Sequence, residues 1–346
     1  MRERPSPWNS PTPNRAAEEL APLSPPVEIG LTAAIVAVRD DEPLILTTRA
    51  DGPASIAALP SGPFDPIRHR TFEIGLREWV AEQTGAPLGY VEQLYTFGDR
   101  GRHARAGDRD PHVVSVGYLA LTRIRDDANR RASVWRSWHD FFPWEDWRKG
   151  PPVVLEETIA PGLADWVAEA PDAVSSSGVS RRVRVNLLFG LLFGGKGRAF
   201  NEENVLERYE LLYEAGLLEE ALRDGRESAE KRAPLTPLGT PMRHDHRRIL
   251  ATAMGRLRAK MKYRPVIFEL MASEFTLTEL QRTVEAIAGR HLHKQNFRRL
   301  VESTAIVEPT GEMSLKTGGR PAALFHFRRN VLQERPAPGL RVGIRG

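Results

Sequence analysis

The chain has 346 residues, of which 41% are apolar, enough for two domains with cores of their own. It has no cysteine, which excludes a disulfide framework and Cys-based zinc sites. No apolar run approaches the roughly 18 residues of a membrane span, and no signal-peptide pattern opens the chain, so a cytoplasmic address without a membrane partner is expected. Charge is uneven along the chain. From residue 251 onward there are 17 Lys and Arg against 8 Asp and Glu, whereas the first 250 residues carry 32 against 37, so the basic end is the one suited to nucleic acid.

Residues 1–26 hold seven prolines and little periodic apolar content and are expected to be a disordered tail. Glu28 to Val38 and Pro43 to Thr48 read as strands around a short turn at Asp40 to Glu42. Phe72 to Gln83 reads as a helix with Phe72, Leu76 and Val80 at helical spacing and Thr84-Gly85 as its stop. Val113 to Ile124 is a β-rich run, so this part of the chain suggests an α+β sandwich.

Beyond it, Trp135, Trp138, Trp144 and Trp147 crowd into a segment suited to core packing or to stacking an adenine. Ala173 to Ser180 reads as a linker, and Glu203 to Leu222 as an amphipathic helical region that packs on the core or mediates dimerisation. Gly190, Gly195 and Lys196 approach a phosphate-binding loop, but Gly197 stands where its Ser or Thr is needed. His244, Asp245 and His246 are too close in sequence to face one metal ion and read as a solvated helix start.

The last hundred residues carry the clearest pattern. A short helix at Pro265 to Met271 precedes Thr276 and Glu279, a capping box for a helix with the apolar stripe Leu277, Leu280, Val284 and Ile287, ended by Gly289. A third helix, about His293 to Ser303, turns Phe297, Leu300 and Val301 inward and leaves a polar, basic outer face. Ile306 to Glu308 and Ala323 to Phe327 read as strands around a polar loop, Thr310 to Pro321. Three helices and a basic hairpin in series make a winged helix. Long donors near a helix N-terminus match base edges and phosphates, so the expected DNA contacts are Thr276, Thr278, Gln281, His293, Lys294, Gln295, Asn296, Arg298 and Arg299, with Lys316 and Arg320 at the hairpin tip.

Ala58 to Gly62, leading through a loop to Arg77-Glu78-Trp79-Val80-Ala81-Glu82-Gln83-Thr84-Gly85, resembles the Nudix box, whose acids hold magnesium against a diphosphate. Aligned on Thr84-Gly85, the box's Arg-Glu pair falls on Glu78 and Trp79 and its Glu pair on Glu82 and Gln83. Aligned on Arg77-Glu78, the Glu pair falls on Ala81 and Glu82. The upstream Glu falls on Arg70 or within 66–69. The cluster is broken in either register, so a Nudix-like fold without hydrolase activity and without a bound metal is expected.

Leu94 to Asp99, and Arg109-Asp110-Pro111 followed by Val113 to Tyr118, look like the corresponding segment of Nudix-related regulators of NAD metabolism. Asp245 to Lys260, Lys262 to Pro265, Asn296 to Arg299 and Gly319 to Ala322 resemble the join and winged helix of the larger NAD-biosynthesis repressors in that group. The resemblance covers about 27–125 and 240–330. It implies a Nudix-like α/β/α sandwich at 27–262 with a helical insert at about 130–235, a winged helix at 263–330 and a tail at 331–346.

The same resemblance implies a homodimeric repressor on a palindromic operator, sensing NAD, ADP-ribose or ATP and requiring no cofactor. The effector contacts would be Arg49, Tyr95, Phe97, Asp99, Arg109, Asp110, Tyr118 and Trp144. The alternative is a hydrolase of ADP-ribose-like diphosphates with a DNA-binding appendage.

Overall fold

The computed structural model describes residues 27–49, 56–99, 112–124, 133–174, 178–194, 200–315, 321–334 and 338–340. The expected N-terminal tail lies outside them. Strands β1 (Val27–Arg39) and β2 (Glu42–Arg49) form a hairpin through Asp40 and Asp41, both at positive φ as a tight hairpin turn requires. Then come β3 (Ala57–Ala58), β4 (Ser61–Pro63), α1 (Phe72–Thr84), β5 (Val91–Phe97), β6 (His112–Leu121) and β7 (Ser133–Ser137). Among the described residues these seven strands make one mixed sheet, ordered β3-β2-β1-β6-β5, with β4 paired to β1 and β7 to β2. Its centre is the parallel pair of β1 and β6.

A central strand buried on both faces needs a layer on each, and β1 alternates accordingly. Leu31, Ala33 and Ile35 face Leu76 and Val80 of α1, while Ala34 and Val36 belong to the core on the other side. Helix α1 starts on the Thr71 hydroxyl, which accepts from the Ile74 N–H, and ends at Gly85 in the left-handed region.

The opposite layer comes from far along the chain. The insert supplies α2 (Ala160–Glu169), α3 (Arg181–Leu192), α4 (Val205–Glu214), α5 (Glu219–Arg223) and α6 (Glu227–Glu230), and α7 (His246–Met261) then packs across β1, β5 and β6. Val205, Tyr209 and Leu212 of α4 are buried and pack in the core with α7, the first of the two uses expected for 203–222. The sequence suggested a solvated start for α7, and the structure corrects this. Asp245 and His246 are buried, and the His246 Nδ1 accepts the Leu59 N–H at 2.9 Å, because α7 enters against the sheet rather than at the surface.

The C-terminal module contains a 3-10 turn (Val266–Leu270), β8 (Glu274–Thr276), α8 (Leu277–Ala288), α9 (Lys294–Thr304), β9 (Val307–Ser314) and β10 (Ala322–Phe327). Its small sheet runs β8-β10-β9. The expected loop at 310–321 is shorter than the sequence suggested. β9 continues through Pro309 and Gly311 to Ser314, because an edge strand tolerates a missing N–H and a bulge in its pairing with β10 absorbs the irregularity. The 331–346 stretch is not simply a tail. Val331, at the start of α10 (Val331–Glu334), is buried, and the Leu340 N–H donates to the Met261 carbonyl at 2.9 Å. No helix among the described residues is long and apolar enough to cross a membrane.

Candidate nucleic-acid interface and effector site

Helix α9, the candidate reader, is fixed from both ends of α8. Thr276 and Glu279 form the expected capping box, the Thr276 hydroxyl accepting from the Glu279 N–H and the Glu279 carboxylate accepting from the Thr276 N–H. At the other end Glu285 organises the turn into α9. Its Oε1 accepts from the Leu292 N–H at 2.8 Å and from Gln281 Nε2 at 2.9 Å, and its Oε2 lies 3.2 Å from His291 Nδ1. Gln281 also donates to the Leu292 carbonyl at 2.9 Å.

On α9, Phe297 and Val301 are buried, which leaves His293, Lys294, Gln295, Asn296, Arg298 and Arg299 exposed. Among the described residues none of these six side chains is drawn into a hydrogen bond or ion pair. No acid stands in the first turn of α9, so the helix end offers its N–H groups and Lys294 to an anion without local competition. Two expected contacts are corrected. Thr276 is buried in its cap, and Gln281 is committed to the turn, so both shape the reader rather than face it. Thr278 is exposed; Lys316 and Arg320 lie outside the described residues.

At the C-terminal end of α8 lies a buried charge cluster. Glu145, in a 3-10 turn at Pro143–Glu145, places Oε1 2.5 Å from Arg208 Nε and Oε2 2.5 Å from Arg258 Nη1, with all three side chains fully buried. Burial alone would raise the Glu145 pKa, but the two guanidiniums outweigh it and hold the carboxyl below its ordinary range. Arg258 also donates to the Ile287 carbonyl at 2.8 Å and to the Glu202 carbonyl at 3.0 Å, and Trp147 N–H donates to the Gly289 carbonyl at 2.6 Å. Insert, α7 and winged helix therefore meet at one joint, which sequence reasoning missed. Glu145 stands 63 and 113 positions from the arginines it pairs with, so no spacing in the sequence joins them.

The segment that resembles the Nudix box serves as scaffold. Glu78 is held by Arg68 Nη2 and His69 Nε2, each at 2.9 Å. Trp79 donates from Nε1 to the Pro63 carbonyl at 2.8 Å, and its ring lies over Gly62, where a Cβ would come within 2.3 Å of it. Gln83 donates to the Ser61 carbonyl at 2.7 Å and accepts the Ser61 N–H at 3.2 Å. In the register set by Thr84-Gly85, two positions the family gives to acids, Trp79 and Gln83, thus staple α1 to β4; Glu82 is exposed, and Glu78 is engaged on both oxygens by Arg68 and His69. No group of three or more His, Cys, Asp or Glu among the described residues is arranged to hold a metal ion. These residues do not fit the magnesium site of the box.

The expected effector residues do not converge. Tyr118 is buried on the α1 face of the sheet with its hydroxyl 3.3 Å from Gln93, whereas Phe97 is buried in the core on the α7 face. A bulge in β5 between Gln93 and Thr96 produces that change of face. Trp144 is fully buried among Phe142 and Arg247, with no open ring face for an adenine. Tyr95 remains open at 64% exposure, with its ring centre 5.5 Å from that of Phe97, and Asp99 pairs with Arg248 of α7. The Arg49 side chain, Arg109 and Asp110 lie outside the described residues.

The profile of the NrtR DNA-binding winged helix domain matches residues 267–327. This module is an NrtR-type winged helix. A curated relative, the ADPR responsive transcriptional repressor NtrR of Acinetobacter baylyi, is 41% identical over 83 residues, a match that covers 24% of this chain and 33% of that protein. The crystal structure of Shewanella oneidensis NrtR complexed with a 27mer DNA aligns over 88% of this chain and 95% of that one at a TM-score of 0.51 and 19% identity. A second crystal structure of Shewanella oneidensis NrtR aligns over 88% of this chain and 95% of that one at a TM-score of 0.50 and 20% identity. At those identities the likeness establishes the fold, a Nudix-like domain followed by the NrtR-type module.

Proposed function

We propose that the chain is a transcriptional repressor of NAD-biosynthesis genes that senses an adenine-containing diphosphate, ADP-ribose first among the candidates, in a Nudix-like domain without hydrolase activity. The observation that carries this reading is the exposed face of α9, six polar or basic side chains with no partner among the described residues, in a module of NrtR type. The name of the Acinetobacter relative supports both the repressor role and ADP-ribose as effector. The protein acts in the cytoplasm as a homodimer, two α9 helices related by a two-fold axis reading a palindromic operator. The hydrolase alternative is disfavoured by Glu78, whose oxygens are occupied by Arg68 and His69, by Trp79, which has no ligating oxygen, and by Gln83, which carries no charge and is committed to Ser61.

Gel shifts with promoter fragments of NAD-synthesis genes test the reading. A retained fragment should be released or tightened by ADP-ribose, and Arg298→Ala or Arg299→Ala should weaken sequence-specific binding while Lys316→Ala weakens all DNA alike. Failure to prefer any fragment over random DNA refutes the repressor role. Incubation with ADP-ribose and magnesium or manganese should give no turnover; hydrolysis abolished by Glu78→Gln or Glu82→Gln would establish the alternative instead.

A further inference from the structure

Helix α7 carries four arginines that divide sharply by environment, and Arg256 is the exposed one, 3.8 Å from Glu92. Arg247 is buried and committed to Glu220 and the Phe141 carbonyl, and Arg258 is buried in the Glu145 joint. Arg248, in the first turn, is different. Its side chain is 17% exposed, and its guanidinium carbon lies 5.4 Å from the centre of the Phe97 ring. Its Nη1 pairs with Asp99 Oδ2 and its Nε lies 2.5 Å from Glu210 Oε1. Both carboxylates are open to solvent, Asp99 at 55% and Glu210 at 32%, so neither pairing is secured by burial.

We propose that Arg248 is the contact that binds the phosphate of a nucleotide diphosphate in exchange for Asp99, and so couples effector occupancy to the DNA-reading module; this rests on the function proposed above. A guanidinium offers paired donors in the planar geometry that phosphate oxygens match, and a doubly charged diphosphate competes well against a single solvated carboxylate. The open Tyr95 ring lies beside Phe97, the ring that the guanidinium covers, and provides an apolar face on which a base stacks.

The exchange has somewhere to go. Arg248 and Arg258 are ten residues apart on one helix, about 15 Å along its axis. The far arginine is bonded to the Ile287 carbonyl at the end of α8. A small shift of α7 as Arg248 moves from carboxylate to phosphate is therefore delivered to the joint that orients α9. Coupling requires that the ligand prefer one arrangement over the other, and the Asp99-bound and phosphate-bound states of Arg248 supply that difference.

The test compares wild type, Arg248→Gln, Arg248→Lys and Asp99→Asn, measuring ADP-ribose binding by calorimetry and binding of the retained promoter fragment by fluorescence anisotropy with and without ADP-ribose. Wild type should show a shift in DNA affinity of about fivefold or more. Arg248→Gln should still retain the promoter fragment, but lose about tenfold or more in ADP-ribose affinity and nearly all of the shift. Arg248→Lys should recover part of both, and Asp99→Asn, by removing the competitor, should bind ADP-ribose more tightly than wild type. A responsive wild type with an equally responsive Arg248→Gln overturns this inference alone. A wild type that binds promoter DNA but not ADP-ribose overturns the effector reading, and this inference with it.

Discussion

Arg258 Nε donates to the carbonyl oxygen of Ile287 at 2.8 Å, tying the last turn of the helix that closes the sandwich to the last turn of the helix that precedes the reader. The same guanidinium meets Glu145, which also holds Arg208. Removing one member of a buried charge cluster leaves the others unpaired in a medium that cannot solvate them. Glu145→Gln should therefore lose about 3–5 kcal/mol of stability in chemical denaturation. A loss under about 1 kcal/mol would show that water reaches the cluster.

Gly289 ends α8 at φ 71, and a Cβ there would lie 2.4 Å from the Glu145 carbonyl oxygen and 2.8 Å from Arg258 Nη2. Gly289→Ala combines a backbone cost of about 1–3 kcal/mol with a collision at the joint. Its melting temperature should fall more than that of Gly311→Ala, where φ is also positive but no atom lies within 4 Å. Equal falls would mean that the close approach at Gly289 is relieved without cost.

Glu285 positions α9 without facing outward, since its carboxylate caps the Leu292 N–H and holds Gln281. Glu285→Ala should weaken promoter binding in gel shifts by about tenfold, a cost of the order expected for a lost hydrogen bond to a charged group. Circular dichroism should show the helices intact. Unchanged DNA affinity would place the control of α9 elsewhere.

Acid stability should depend on a cluster at the edge of the sheet. Burial would raise the pKa of Glu42, but hydrogen bonds from His139, Ser137 and Arg148 outweigh it and lower it from 4.5 to about 2. Asp146 likewise overcomes burial through Arg148 and His139, falling from 3.8 to about 2. For carboxyls whose folded pKa is depressed, the stabilisation is complete above the unfolded value and is lost as pH falls through the folded one. The urea midpoint should thus decline between about pH 4.5 and about pH 2, and Glu42→Gln should flatten that decline.

How much of this was legible in the sequence differs by module. In the winged helix each local signal agrees with the tertiary role, as Thr276 and Glu279 cap the helix they were expected to cap and Gly289 stops it. Amphipathic spacing also placed Phe297 and Val301 inward. The effector region was harder to read, because a one-residue bulge in β5 decides which face each side chain takes, and no composition signal marks it. Trp144 illustrates a related limit: an aromatic cluster is equally suited to a core and to a ligand, and only the surrounding Phe142, Tyr209 and Arg247 settle that it is core. The pairings of Arg248 and Arg258 join residues more than a hundred positions apart, beyond the reach of any spacing rule.

The layer supplied by α7 also bears on synthesis of the chain. The contact between Leu59 and His246 spans 187 positions, so β1 and β6 emerge from the ribosome long before the helix that covers one side of them is made. Such non-local closure slows folding and leaves apolar strands bare in the interval. A fragment truncated ahead of residue 246 is therefore expected to aggregate rather than yield a soluble sheet domain, and co-expression with a chaperone should help the full-length chain more than it helps the isolated C-terminal module.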